Sequence, residues 1–406
     1  MGSYATLLAA LLALLFGLAA VKAWERYKLA DGRIVDRRRG RESPHYLLGL
    51  NFLVSNQIDL AIEELTKAAA VYGDALEVQV MLGNLYREKG QVGRAISIHQ
   101  TLLQRPKLRK LEQAHVLLCL GLDFKRGGFV DRALETFKEV VRLEPNNPHA
   151  LANLEKLQAD QHQWLEAYNI RRSLVAASDA ADKPRHQAIQ AFLENELGLE
   201  ALKRSDDAAA AARFQAAIDL DARVMPAYLN LGDVYRAQGR LTEAIALWER
   251  AIALMPERAY LAFERLETAY AHGSGPERFA RLCRQLIDAN PQDWRARLAL
   301  SHHQATKGHS DEALGLLFEA LAQNPHALMV HQAIWHVLSE LNFSRARVER
   351  YMELTRYAVF YVDPHVCIRC RYRTDELLWQ CPHCHEWNTV VEDRIAPAKE
   401  DHEINA

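Results

Sequence analysis

The chain has 406 residues, 49% hydrophobic and 25% charged, with a formal net charge of −2. That is ordinary globular material, long enough for two or three domains or for one extended repeat array. The near-neutral balance excludes a protein whose whole surface is built for nucleic acid or anionic lipid, so any such bias has to be local.

The first local bias is at the N-terminus. Met1 to Val21 carries no charged residue, and Leu7 to Val21 reads LLAALLALLFGLAAV. This stretch is just long enough to cross a bilayer as a helix if Tyr4 and Trp24 sit in the two interfaces. A cleaved signal peptide would carry positive charge before its apolar core, and Met-Gly-Ser-Tyr-Ala-Thr has none. Residues 1–24 are therefore expected to form a retained transmembrane anchor. From Lys22 to Arg41 the chain carries Lys22, Arg26, Lys28, Arg33, Arg37, Arg38, Arg39 and Arg41 against Glu25, Asp31 and Asp36. Residues 25–42 thus read as a basic juxtamembrane linker lying against anionic headgroups, and the positive-inside rule places the body of the protein on the cytoplasmic side.

Residues 43–358 repeat themselves. A Leu-Gly pair, an aromatic three residues later, a small residue twelve after the Gly and a Pro twelve beyond that recur along the segment. The clearest copies are Leu231-Gly232 with Tyr235, Gly239, Ala244, Trp248, Ala251 and Pro256, and Leu120-Gly121 with Phe124, Gly128, Ala133, Phe137, Val140 and Pro145. Leu48-Gly49, Leu82-Gly83, Leu197-Gly198, Leu266 and Leu300 open weaker copies, with a degenerate unit around Leu154 to Leu174 and a last pair from Ala327 to Tyr357. This is the tetratricopeptide pattern, with a period of ~34 residues and about nine units here. Gly and Ala let paired helices approach and the aromatics fill the space between units, so these residues are structural. The spacing slips between Gly83 and Gly121 and across Ala176 to Arg185, which predicts a hinge near residue 180. The first helix of each unit builds the concave wall, and Asn84, Arg87, Glu88, Lys125, Arg126, Asp233 and Arg236 are candidate protein-contact residues there. The alternative for each is a merely solvated helix face. No nucleophile elbow, phosphate loop, H-E-x-x-H motif or paired-carboxylate setting is present, so no enzymatic activity is expected.

Residues 359–391 carry four of the six cysteines, as Cys367-x2-Cys370, a ten-residue gap, and Cys381-Pro382-His383-Cys384. Two C-x-x-C pairs joined by a short loop bring four thiolates to the corners of a tetrahedron, as in zinc ribbons and rubredoxin-type iron sites. Cys367, Cys370, Cys381 and Cys384 are the expected ligands of one zinc or iron ion, and His365, His383 and His385 are not. Redox dithiols would need a βαβ setting that this segment is too short to hold. Four thiolates close the coordination sphere, leaving no open catalytic position. Residues 392–406 read as a disordered acidic tail.

The blocks GLNFLVSNQIDLAIEEL (Gly49 to Leu65), LGNLYREKGQVGRAISIHQTLL (Leu82 to Leu103) and LLWQCPHCHEWNT (Leu377 to Thr389), with the apolar N-terminus and the repeat array, resemble the lipopolysaccharide assembly protein B family. The resemblance covers nearly the whole chain. It implies an all-α tetratricopeptide-repeat solenoid with one N-terminal transmembrane helix and a small C-terminal four-cysteine rubredoxin-like or zinc-ribbon domain that packs on the array. Docking against the last helices, through Trp379 and Trp387, is expected. Members of the family are inner-membrane adaptors that help a membrane AAA+ protease degrade the deacetylase committing precursors to lipid A. Expected partners are accordingly that protease, the deacetylase, other lipopolysaccharide assembly proteins, the membrane through the N-terminal helix, and a second copy of the chain. One departure is Arg371, where the family pattern has Gly, which predicts a first knuckle of altered shape. The rival readings are a generic tetratricopeptide scaffold for another membrane complex and a rubredoxin-type electron carrier. A nucleic-acid module is disfavoured, since Arg369, Arg371 and Arg373 are balanced by Asp375, Glu376 and Glu386.

Overall fold

A computed structural model describes residues 43–71, 75–106, 108–272, 275–341, 345–356 and 365–393. The expected anchor, the basic linker and the tail beyond 393 lie outside them. Among the described residues no helix is long and apolar enough to cross a membrane. Eighteen α-helices and, after them, a three-stranded sheet make up the described residues.

The helices are α1 (Pro44–Val54), α2 (Ile58–Val71), α3 (Leu76–Glu88), α4 (Val92–Leu103), α5 (Lys110–Arg126), α6 (Val130–Leu143), α7 (Pro148–Asp160), α8 (Trp164–Ala177) and α9 (Lys183–Lys203). They continue as α10 (Asp207–Leu220), α11 (Met225–Ala237), α12 (Leu241–Leu254), a 3₁₀ helix (Pro256–Ala262), α13 (Phe263–His272), α14 (Pro276–Ala289), α15 (Trp294–Thr306), α16 (Ser310–Gln323), α17 (Leu328–Glu340) and α18 (Arg345–Leu354). The repeat reading is what the structure contains.

Its period is set by the turns. The turn inside each of the first eight helix pairs holds one residue in the left-handed region: Asn56, Gly90, Gly128, His162, Ser205, Gly239, Gly275 and Gly308. These recur near the ~34-residue repeat, with longer intervals from Gly90 to Gly128 and from His162 to Ser205, where the sequence spacing slips. Within the pairs the close approach is equally regular. A Cβ on Gly121, Gly198 or Gly232 would lie within 2.2–2.6 Å of the ring of Phe137, Phe214 or Trp248, sixteen residues on. The alanines one turn earlier, Ala133, Ala210 and Ala244, are fully buried. The helix ends follow ordinary chemistry. The Asp206 carboxylate accepts the backbone N–H of Ala209 (3.0 Å), and Asp293 accepts those of Arg295 and Ala296 (3.1 and 3.0 Å), offsetting N-terminal donors that have no helical partner.

The chain divides into two compact units, Met1–Leu157 and Gln158–Ala406. The division falls in the degenerate fourth unit, not near residue 180. The loop that suggested a hinge is spanned by packed helices, with Arg171 Nη1 of α8 2.7 Å from His186 Nδ1 of α9. In the first unit one core gathers Ala61, Leu65, Ala68, Val78, Leu82 and Leu85, and a second gathers Val80, Leu102, Val116 and Cys119. In the second unit a core runs from Ala159 to Leu300 and takes in Trp387, while another joins α15 to α17.

Candidate functional site

The three-stranded sheet that follows the helices frames the cysteines. Strand β1 (His365–Cys367) is central, antiparallel to β2 (Arg373–Thr374) on one side and β3 (Val390–Glu392) on the other. Its register puts Val366 opposite Arg373 and Val391, and Cys367 opposite Val390. Strand β3 ends one residue beyond the domain boundary drawn at 391 from the sequence.

Each knuckle is a tight turn with the same hydrogen bonds. Arg371 N–H donates to the Cys367 carbonyl (2.9 Å) and His385 N–H to that of Cys381 (2.8 Å). Cys367 N–H donates to the Tyr372 carbonyl (2.8 Å) and Cys381 N–H to that of Glu386 (3.0 Å). Arg371 and His385 both take a left-handed backbone, with φ of 63° and 58°. The two turns therefore share one backbone conformation, and Arg371 occupies it as His385 does. His385 is just as far from glycine, and the exposed Arg371 side chain leaves the turn unobstructed.

The four sulfurs lie within 4.8 Å of one another. Cys367 Sγ is 3.7 Å from Cys384 Sγ, and Cys370 Sγ 3.6 Å from Cys381 Sγ. A disulfide would need about 2.05 Å, whereas metal–sulfur bonds of about 2.3 Å in a tetrahedron give edges of about 3.8 Å. The donor set and its spacing fit one zinc or iron ion. No histidine is among the converging donors. His385 pairs with Asp160, His383 stacks on Tyr372 (6.3 Å, 8°), and His365 belongs to the sheet.

The thiols differ electrostatically. Burial opposes ionisation at Cys367, yet its hydrogen bond with Thr389 (Sγ to Oγ1 3.2 Å) and the backbone amides of Cys370 and Arg369 outweigh it and draw the thiol down to about 6. Burial pushes Cys381 up, and burial with the neighbouring sulfurs pushes Cys384 up to about 12. Burial, with the crowding of neighbouring sulfurs, thus disfavours the thiolate form of Cys381 and Cys384. The two remaining cysteines, Cys119 and Cys283, are buried in the array, and burial raises both thiols, so they are inert packing groups.

The metal domain sits on α8 and α9 and not on the last helices. Trp387 stacks on Phe192 of α9 (5.6 Å, 22°) and meets Trp164 of α8 edge-on (6.3 Å), while Trp379 lies 6.0 Å from Phe192. Charges frame these rings: Arg258 stands over Trp379 (5.2 Å), Arg295 pairs with Glu392 (2.8 Å), and His385 pairs with Asp160. Both tryptophans were legible as docking groups. Their target was not, because it is assembled from Trp164 and Phe192, which are distant in sequence and brought together only by folding.

The candidate contact residues of the array fall into two groups. Arg87 is engaged internally, donating to Asn84 Oδ1 (2.9 Å) and to Asp123 Oδ1 (3.0 Å). Asp233 pairs with Arg265 (2.8 Å) and Arg236 (3.4 Å), and Lys125 reaches Asn153 (3.0 Å). Glu88 and Arg126 are exposed. Sequence reading missed the buried centre of this network. His99 and Asp123 are both fully buried, with Nδ1 and Oδ2 2.5 Å apart, and His99 occupies the position that holds Phe137 and Trp248 in the stronger repeats.

Comparison with known proteins finds both the repeats and the four-cysteine domain. Residues 365–392 match the family model described as rubredoxin metal binding domain, and residues 46–106 and 226–258 match tetratricopeptide repeat models. Over 383 residues the chain is 26% identical to Lipopolysaccharide assembly protein B of Escherichia coli (strain K12), covering 94% of this chain and 97% of the relative. The chain resembles that protein along nearly all of its length. Lipopolysaccharide assembly protein B of Haemophilus influenzae is 24% identical, over 94% of this chain and 97% of its own. Among solved structures, the C-terminal part of a TPR repeat-containing protein from Cytophaga hutchinsonii is 12% identical, with 71% of this chain and 99% of that one covered and a TM-score of 0.41.

Proposed function

We propose that this protein is a non-enzymatic, inner-membrane adaptor of lipopolysaccharide biosynthesis that promotes proteolysis of the lipid A deacetylase by a membrane AAA+ protease. The observation that carries the reading is the full-length likeness to proteins named for lipopolysaccharide assembly, which embraces the array and the metal domain together. The repeat array supplies extended helical surface for protein partners. The four thiolates, when bound to zinc or iron, crosslink the two knuckles, and the chain's own part is to hold that crosslinked domain against α8 and α9. A charge-free apolar N-terminus followed by a basic linker supports tethering with the array on the cytoplasmic side. In the plane of the membrane, a protease and a substrate held by one scaffold meet at raised effective concentration.

The test is depletion of the protein in its host, followed by measurement of deacetylase half-life. A lengthened half-life with accumulating deacetylase is the expected result. An unchanged half-life would redirect the search to other clients of a tetratricopeptide scaffold.

A further inference from the structure

Between the metal domain and the array lies an open groove of about 440 Å³. Ile189 and Phe192 of α9, with Met255, form an apolar floor, and Ile368 of the first knuckle, 58% exposed, adds an apolar edge. Four arginines line it, Arg185, Arg223, Arg258 and Arg369, against Asp221, Glu257 and Glu386. The carboxylates are already engaged. Glu386 faces Arg185 at 3.9 Å, Glu257 faces Arg223 at 3.4 Å, and Asp221 Oδ1 accepts the Arg223 backbone N–H at 2.9 Å.

Arg258 and Arg369 therefore stand in the groove without a carboxylate at ion-pair distance among the described residues. Arg258 comes from the array and Arg369 from the first knuckle, so two walls each present a guanidinium without a close carboxylate across an apolar floor. Burial holds the Arg258 guanidinium below its usual range, and its contact over the Trp379 ring is a weaker substitute for a full counter-charge. An anion entering here would meet the partly buried Arg258 guanidinium, where charge-assisted bonds are strongest, and the exposed Arg369 guanidinium at the rim.

We propose that this groove binds an extended acidic segment of a partner protein, its carboxylates on Arg258 and Arg369 and its intervening apolar side chains on Ile189, Phe192 and Met255. An extended chain alternates its side chains at the spacing such a two-sided groove can read. The proposal deepens the adaptor reading and rests on it in one respect, that the occupant is a protein.

The experiment uses the full chain in phosphatidylcholine nanodiscs, with empty nanodiscs as the blank. A fluorescein-labelled decapeptide alternating Glu and Leu is compared with its Gln–Leu counterpart by anisotropy. The acidic peptide is expected to bind about tenfold more tightly or better, with a preference that shrinks as salt rises. Arg258→Gln and Arg369→Gln should each remove most of that preference while metal content is retained. Arg369 is exposed, so its variant keeps the fold even if Arg258→Gln loosens Trp379. Equal affinity for the two peptides, no binding at about 1 mM, or a preference surviving both substitutions would overturn the proposal. Truncation after Asp393 assigns the occupant. Unchanged affinity supports a partner segment, and a gain of about tenfold would give the groove to the chain's own acidic end instead. Selective peptide binding with an unchanged deacetylase half-life would leave the groove standing and remove the adaptor reading. The reverse pair of results would do the opposite.

Discussion

Proton count distinguishes the metal-bound centre from the metal-free one. At neutral pH burial keeps Cys381 and Cys384 as thiols, while Cys367, drawn down to about 6, is already a thiolate. A cation that takes all four sulfurs must displace the protons of the first two. Adding zinc to chelator-treated protein near about pH 7.5 should therefore release about two protons per ion or more, read with a pH indicator in weak buffer. The sign follows from the direction of each shift. The depressed Cys367 offers its thiolate above about 6 and loses it as pH falls through that value, so affinity drops on acidification and drops more steeply below about 6. Metal uptake without proton release would refute this picture. Cys384→Ser should abolish stoichiometric metal, whereas Cys119→Ser should leave it unchanged, with atomic absorption as the readout. The buried Asp123, held by Arg87 and His99, makes a different prediction. Asp123→Ala removes the shared partner of Arg87 and His99 and should cost roughly 3–5 kcal/mol in urea unfolding. None of that network was legible, because His99 stands where the repeat pattern calls for a large apolar residue and Asp123 belongs to the next unit.

The repeating element is a helix pair whose geometry depends on one missing side chain. Gly232 lets α11 approach α12 so closely that a Cβ would fall 2.2 Å from Trp248 Nε1. Gly232→Ala should destabilise the second unit by about 1–3 kcal/mol through forced repacking of the indole. Gly315, exposed in the middle of α16 with no atom within 4 Å of its would-be Cβ, makes the contrast. Gly315→Ala should stabilise by roughly 0.5–1 kcal/mol, because only backbone entropy changes. Thermal unfolding of the two variants separates a packing glycine from an incidental one, and opposite shifts are expected. The strong units were readable because close crossing restricts which residues fit. The turn positions His162 and Ser205 were not, since either can be held in a left-handed backbone by its surroundings while local preference favours Gly.

For the molecule as a whole, the second unit is stabilised in part by a domain too small to build its own core. Among the described residues the metal domain gathers a small interior of its own from Cys367, Cys381 and Val390 with the partly buried Leu377 and Leu378, and gives Trp387 to the core of the array. Trp387→Ala should lower the stability of the unit by about 3–5 kcal/mol while the four sulfurs still bind their ion, a combination that calorimetry with metal analysis can read. Loss of the metal in that variant would show instead that coordination requires docking. Some of this protein follows from sequence alone. Helix pairs come from a period set by small residues at the crossings, and the metal centre comes from two C-x-x-C turns whose ligands are neighbours along the chain. Tertiary structure decided the rest. It chose α8 and α9 as the seat of the metal domain, placed His99 against Asp123 and left Arg258 and Arg369 in one groove without a carboxylate at ion-pair distance among the described residues. Each of these joins residues far apart in the chain, and local pattern carries no record of which distant surfaces will meet.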